Sequence, residues 1–141
     1  MLSTLLYADR FLGRSLLGKI TQGTAKDNQA IKAINLKGEK VDEGRLTKIF
    51  RYEGTKKVPI EVGEAGDIVV VAGLEKANVA DTICDLEVNE PIAATPIDPP
   101  TMSITITVNT SPLAGTEGKK LTSTQIRDRL IQEAQNNVGI T

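Results

Sequence analysis

The sequence predicts a mainly β protein: a closed antiparallel barrel, a stiff linker, and a short strand–helix unit after it. Three observations carry this. Residues 1–90 hold many short apolar runs separated by glycine turns, the pattern of small barrels. Four of the six prolines then crowd into residues 90–101, at Pro91, Pro96, Pro99 and Pro100. Beyond them the hydrophobic period changes from two to about 3.6 within forty residues.

In chain order, SLLGKITQG places Leu16, Leu17 and Ile20 before a glycine turn. AIKAINL follows with Ile31 and Ile34, and Lys37-Gly38 is the expected hairpin turn after it. RLTKIFRY sets Leu46, Ile49 and Phe50 among Arg45, Thr47, Lys48 and Arg51, and is expected to be one strand. DIVVVAGL is a continuous β-branched run, which fits a strand buried on both faces, launched by a turn at Gly63 and Gly66. TICDLEV, residues 82–88, is expected to be the last strand of the barrel. Domain boundaries are expected at 1–95 for the barrel, 96–100 for the linker and 101–141 for the second unit.

Proline fixes φ and lacks the donor N–H, so the linker is expected to be extended. After it, Met102, Ile104, Ile106 and Val108 alternate with Ser103, Thr105 and Thr107, which predicts a strand with one buried face. Thr122 and Gln125 have capping-box spacing. Ile126, Leu130, Ala134 and Val138 then recur every four residues, with Ile131 beside them, predicting an amphipathic helix of roughly 14 residues. A strand and one helix cannot close a core alone. This unit is therefore expected to pack on the barrel, pair with another copy through the helix face, or stay mobile.

Composition narrows the function. The four aromatics are Tyr7, Phe11, Phe50 and Tyr52, so the core must be aliphatic. A net charge of −1 gives no global nucleic-acid signature, though a local basic patch is compatible with it. The chain has no histidine, the commonest general base and metal ligand. The single Cys84 excludes an internal disulfide framework and fits a reducing compartment. No apolar run approaches the ~20 residues that span a bilayer, and the N-terminal MLSTLLYADRFLG lacks the basic start of a secretory leader. A cytoplasmic protein with no membrane partner is expected.

The stretch NTSPLAGTEGKKLTSTQIRDRL, 109–130, lies between a predicted strand and a predicted helix, the topology of a phosphate-binding loop. Its spacing is wrong: Gly115 and Gly118 are separated by two residues rather than four, and Lys119 precedes Lys120 rather than a hydroxyl that would hold Mg²⁺. It reads as a surface connection whose Lys119 and Lys120 could meet a backbone phosphate beside a helix N-terminus. Glu61, Glu64 and Asp67 read as a solvated turn, and Cys84, with no basic neighbour in sequence, as a structural thiol. Lys48, Arg51, Lys56 and Lys57 are the remaining candidates. They could form a basic edge on the barrel for RNA phosphates, with Tyr52 available for stacking; the alternative is a solvated face. No residue is assigned to catalysis, to a cofactor or to a metal.

Three blocks resemble the BipA/TypA family of translational GTPases: GRSLLGKITQGTAKDNQAI (13–31), EAGDIVVVAGLEKANVADTICD (64–85) and PIDPPTMSITITVNTSPLAGTEGKKLTSTQIRDRL (96–130). The resemblance implies that residues 1–95 are a domain II β-barrel and 101–141 the first strand and helix of a ferredoxin-like domain III. It implies a parent protein that binds GTP and Mg²⁺ through a G domain whose motifs this sequence lacks. The parent is expected to work on the ribosome, against rRNA and ribosomal proteins, in ribosome assembly, translation and stress adaptation. This chain would then be a non-catalytic, ribosome-facing module beside its own G domain and later domains. The alternative is a structural spacer between them.

Overall fold

A computed structural model describes residues 1–9, 12–112, 115 and 122–140. The chain divides into two compact units, Met1–Ile97 and Asp98–Thr141.

Among the described residues the first unit holds ten strands: β1 (Leu2–Asp9), β2 (Gly13–Lys19), β3 (Thr24–Lys26), β4 (Ala30–Ile34), β5 (Lys40–Arg45), β6 (Lys48–Glu53), β7 (Lys56–Ile60), β8 (Val62–Glu64), β9 (Ile68–Ala72) and β10 (Thr82–Cys84). Eight form one sheet in the order β5-β4-β10-β1-β2-β9-β6-β7, and β3 pairs with β8. Every ladder is antiparallel. The order returns on itself, because β5 and β6 are two halves of one bent segment. RLTKIFRY is therefore not one strand. Arg45 ends the half that pairs with β4, and Lys48 begins the half that pairs with β9. Between them the Leu46 N–H bonds Gln29 O and the Thr47 N–H bonds Ala72 O, both at 2.9 Å. One segment thus pairs with both β4 and β9, and the ring β4-β10-β1-β2-β9-β5/β6 closes into a barrel, with β7 outside it as the hairpin partner of β6. Closure satisfies edge groups that an open sheet would leave bare.

Glycine permits the bend. Gly73, at φ +124°, lies against the Arg45 backbone: a Cβ there would come within 2.9 Å of Arg45 C and 3.0 Å of Thr47 N. The core inside is aliphatic, as composition requires: Leu6, Leu16, Ile20, Ile31, Ala33, Leu46, Ile49, Val69, Val71, Leu74, Ala77 and Ile83. Burying each large member is worth about 1.5–3 kcal/mol. The run DIVVVAGL is buried on both faces from Val69 to Ala72, while Ile68 at its start is 54% exposed.

Two expectations need correction here. TICDLEV is a strand only over Thr82–Cys84; from Asp85 the chain leaves the ladder, and Val88 N bonds back to Asp85 O at 3.2 Å. Hydrogen bonds then hold residues 88–92 against the wall. Thr82 Oγ1 accepts from Ile92 N at 2.8 Å and Lys32 Nζ donates to Asn89 Oδ1 at 2.7 Å. The alternating run 102–108 is not a strand with a buried face. It has no ladder, and Met102 and Ile104 are 86% and 82% exposed. Alternation supplies a face but not a partner, and no neighbouring strand stands beside it among the described residues.

In the second unit α1 (Ser123–Asn136) runs 14 residues as expected. Both capping-box bonds form: Gln125 N to Thr122 Oγ1 at 3.4 Å and Thr122 N to Gln125 Oε1 at 3.3 Å. Ile106, Val108, Ile126, Leu130 and Ile131 line an open apolar groove in this unit.

Candidate nucleic-acid interface

The candidate cations gather on the β6–β7 hairpin. Its strands meet across a two-residue turn, Gly54-Thr55, in which Gly54 at φ +64° takes the left-handed conformation. The register sets Glu53 opposite Lys56, Tyr52 opposite Lys57, Arg51 opposite Val58, Phe50 opposite Pro59 and Ile49 opposite Ile60. Ile49 is fully buried and points into the core. Alternation therefore sends Lys48, Phe50 and Tyr52 outward, with Lys57 beside Tyr52 on the same face. Arg51 and Lys56 lie on the opposite face of the hairpin.

The four cations have different surroundings. Lys48 Nζ lies 3.7 Å from Asp27 Oδ2, and Arg51 pairs with Glu53 at 3.0 Å. Both pairs are solvated and weak, so an anion of higher charge can displace them. Lys57 Nζ sits 4.5 Å from the centroid of the Phe50 ring, which orients the ammonium without neutralising it. Lys56, at the turn, is exposed. Lys119 and Lys120 lie outside the described residues.

The outer face that carries Lys48 and Lys57 is apolar beneath them. Leu5, Leu17, Val70, Phe50 and Pro59 follow one another across β1, β2, β9, β6 and β7. Tyr7 and Tyr52 stand on this face, 38% and 40% exposed. Burial raises the Tyr7 phenol above its ordinary value, and the Tyr52 hydroxyl, as neighbouring charge and hydrogen-bond partner, adds to the rise. Tyr7, Phe50 and Tyr52 are thus three of the chain's four aromatics, all outside the core. Tyr52 stands out in the sequence beside the hairpin cations; Tyr7 does not, because it joins the face only through the β1–β2–β9–β6 ladder.

Two of the other candidates, Asp67 and Cys84, have structural partners. Asp67 Oδ2 caps the 64–67 turn by accepting from Glu64 N at 3.1 Å. Cys84 donates to Val88 O at 3.5 Å. Burial pushes its thiol up, against the pull of Lys32 and the Met1 ammonium. Lys32 is a basic neighbour absent from the local sequence; it faces Cys84 across the β4–β10 ladder. Among the described residues no group of three His, Cys, Asp or Glu could hold a metal ion. No helix among them is long and apolar enough to cross a membrane.

Residues 13–84 match the elongation factor Tu domain 2 family. The chain is 39% identical over 136 residues to the large ribosomal subunit assembly factor BipA of Bacillus subtilis (strain 168), covering 96% of this chain and 22% of that protein. It is 40% identical over 130 residues to the BipA of Buchnera aphidicola subsp. Acyrthosiphon pisum (92% and 21%), and 39% identical over 132 residues to that of Haemophilus influenzae (94% and 21%). The chain spans about a fifth of the length of these curated relatives.

Proposed function

Because the chain belongs to the elongation factor Tu domain 2 family and carries the BipA/TypA-type version of that domain, we propose that it is a non-catalytic, ribosome-facing module of a cytoplasmic translational GTPase acting in ribosome assembly and stress adaptation. GTP and Mg²⁺ would bind a G domain elsewhere in the longer protein. Residues 1–95 would present the RNA-facing surface, and 101–141 would begin a domain III whose remaining strands pair with 102–108. The observation that supports this most directly is the β6–β7 hairpin, where Lys48, Arg51, Lys56 and Lys57 share one projecting element. Such an arrangement suits phosphate contacts that position a protein on RNA without reading sequence. Lys119 and Lys120 would add a second contact.

The test is binding of this chain to a structured ribosomal RNA fragment, read by fluorescence anisotropy at several salt concentrations. Salt-dependent binding lost on Lys56→Glu with Lys57→Glu supports the proposal. Binding unchanged by that pair, or no binding at low salt, leaves the hairpin a solvated face and favours the spacer reading.

A further inference from the structure

One end of the barrel holds a cavity of about 420 Å³, within the range of small-molecule pockets, and barrel mouths are a usual place for them. It opens between residues 21–25, which lead into β3, and the 88–92 segment. Its floor is aliphatic and buried: Ile20, Ile31, Leu46, Val71 and Ile83. Its rim is polar and carries two carboxylates, Asp85 and Glu90, with hydroxyls from Thr21 and Thr24; among the described residues no lysine or arginine side chain lines it.

Two features make this a formed site. The Asp85 carboxylate is held in place, accepting from Gln29 Nε2 at 3.0 Å and from Glu87 N at 3.4 Å. The outer wall is pinned by the Ile92 N bond to Thr82 Oγ1 at 2.8 Å. The Met1 ammonium, also at the wall, is already bonded to Ile83 O at 2.8 Å. We propose that this barrel mouth binds small aliphatic amines, the chain lying over Leu46 and Val71 and the ammonium meeting Asp85 and Glu90. An aliphatic body suits a floor that has no aromatic for stacking. A cation suits a lining in which the two carboxylates outnumber the one cationic group, the Met1 ammonium. The site lies on different elements from the β6–β7 hairpin and is independent of the RNA proposal.

The test is an amide-shift titration of the 141-residue chain by heteronuclear NMR with hexylammonium chloride, alongside 1-hexanol and sodium hexanoate. Saturable shifts confined to residues 20–25, 29–31 and 82–92 are expected with hexylammonium, with hexanoate giving none. Asp85→Asn with Glu90→Gln, both at solvent-exposed positions, should weaken hexylammonium about fivefold. Ala25→Leu, which fills the cavity, should abolish the shifts. No saturable shift with hexylammonium, equal binding of hexanol or hexanoate, or full affinity in the double variant with an unchanged amide spectrum would each overturn the proposal.

Discussion

Leu46 and Thr47, adjacent in sequence, send their backbone N–H groups to opposite sides of the barrel seam, Leu46 to Gln29 O and Thr47 to Ala72 O. This pair closes the sheet into a ring that leaves only β7 outside it. It lets Leu46 bury its side chain to 2% exposure while the strand changes partners.

The seam depends on Gly73. Gly73→Ala adds a Cβ against the Arg45 carbonyl and imposes a left-handed φ on a residue with a side chain. A loss of about 2–4 kcal/mol is expected from strain and lost seam bonds together. Gly54→Ala shares the positive φ but meets nothing within 4 Å, so about 1 kcal/mol is expected. Urea unfolding of both variants checks the contrast; equal losses would mean that conformation alone, and not the seam contact, sets the effect.

Asp42 ties β5 to the loop after β9. Its Oδ2 accepts from Glu75 N and Lys76 N, each at 2.7 Å. Burial raises its pKa, but bonds from the backbone N–H groups of Lys76, Glu43, Glu75 and Ala77 together outweigh it and leave the carboxyl below its ordinary value. A depressed folded pKa means that the stabilisation is fully present above about pH 4 and fades as pH falls through the folded value. Asp42→Asn should lose about 1 kcal/mol at pH 7, discounted for solvent access. The difference from the parent should shrink below pH 4 in unfolding series across pH; a difference that grows there would contradict the assignment.

Thr122 accepts from Gln125 N at the start of α1. Thr122→Ala should destabilise the helix by about 1 kcal/mol. Hydrogen exchange should quicken over the first turn of α1, whereas Thr124→Ala, also exposed but not a cap, should leave it unchanged.

If the hairpin lysines meet phosphates, each contributes to the salt dependence of RNA binding. Lys48→Met and Lys57→Met should each lower the slope of log K against log salt by about 1. An Arg51→Met effect of similar size would show that the Arg51–Glu53 pair opens on binding. Slopes unmoved by all three would place the contacts elsewhere.

Where local chemistry decides structure, the sequence was sufficient. Glycine turns and β-branched runs marked β2, β4 and β9, and the Thr122–Gln125 spacing marked the start of α1, because turns, caps and periodicity act within a few residues. Composition alone required the aliphatic core. Tertiary structure decided what depends on partners distant in the chain. Leu46–Thr47 looked like the middle of one strand, since a change of ladder partner leaves no local signal. Lys32 beside Cys84 and Tyr7 beside Tyr52 follow from register rather than neighbourhood. The 102–108 run shows the converse: its alternation is as clean as any in the barrel, yet it forms no strand, because a strand exists only when another backbone supplies its hydrogen bonds.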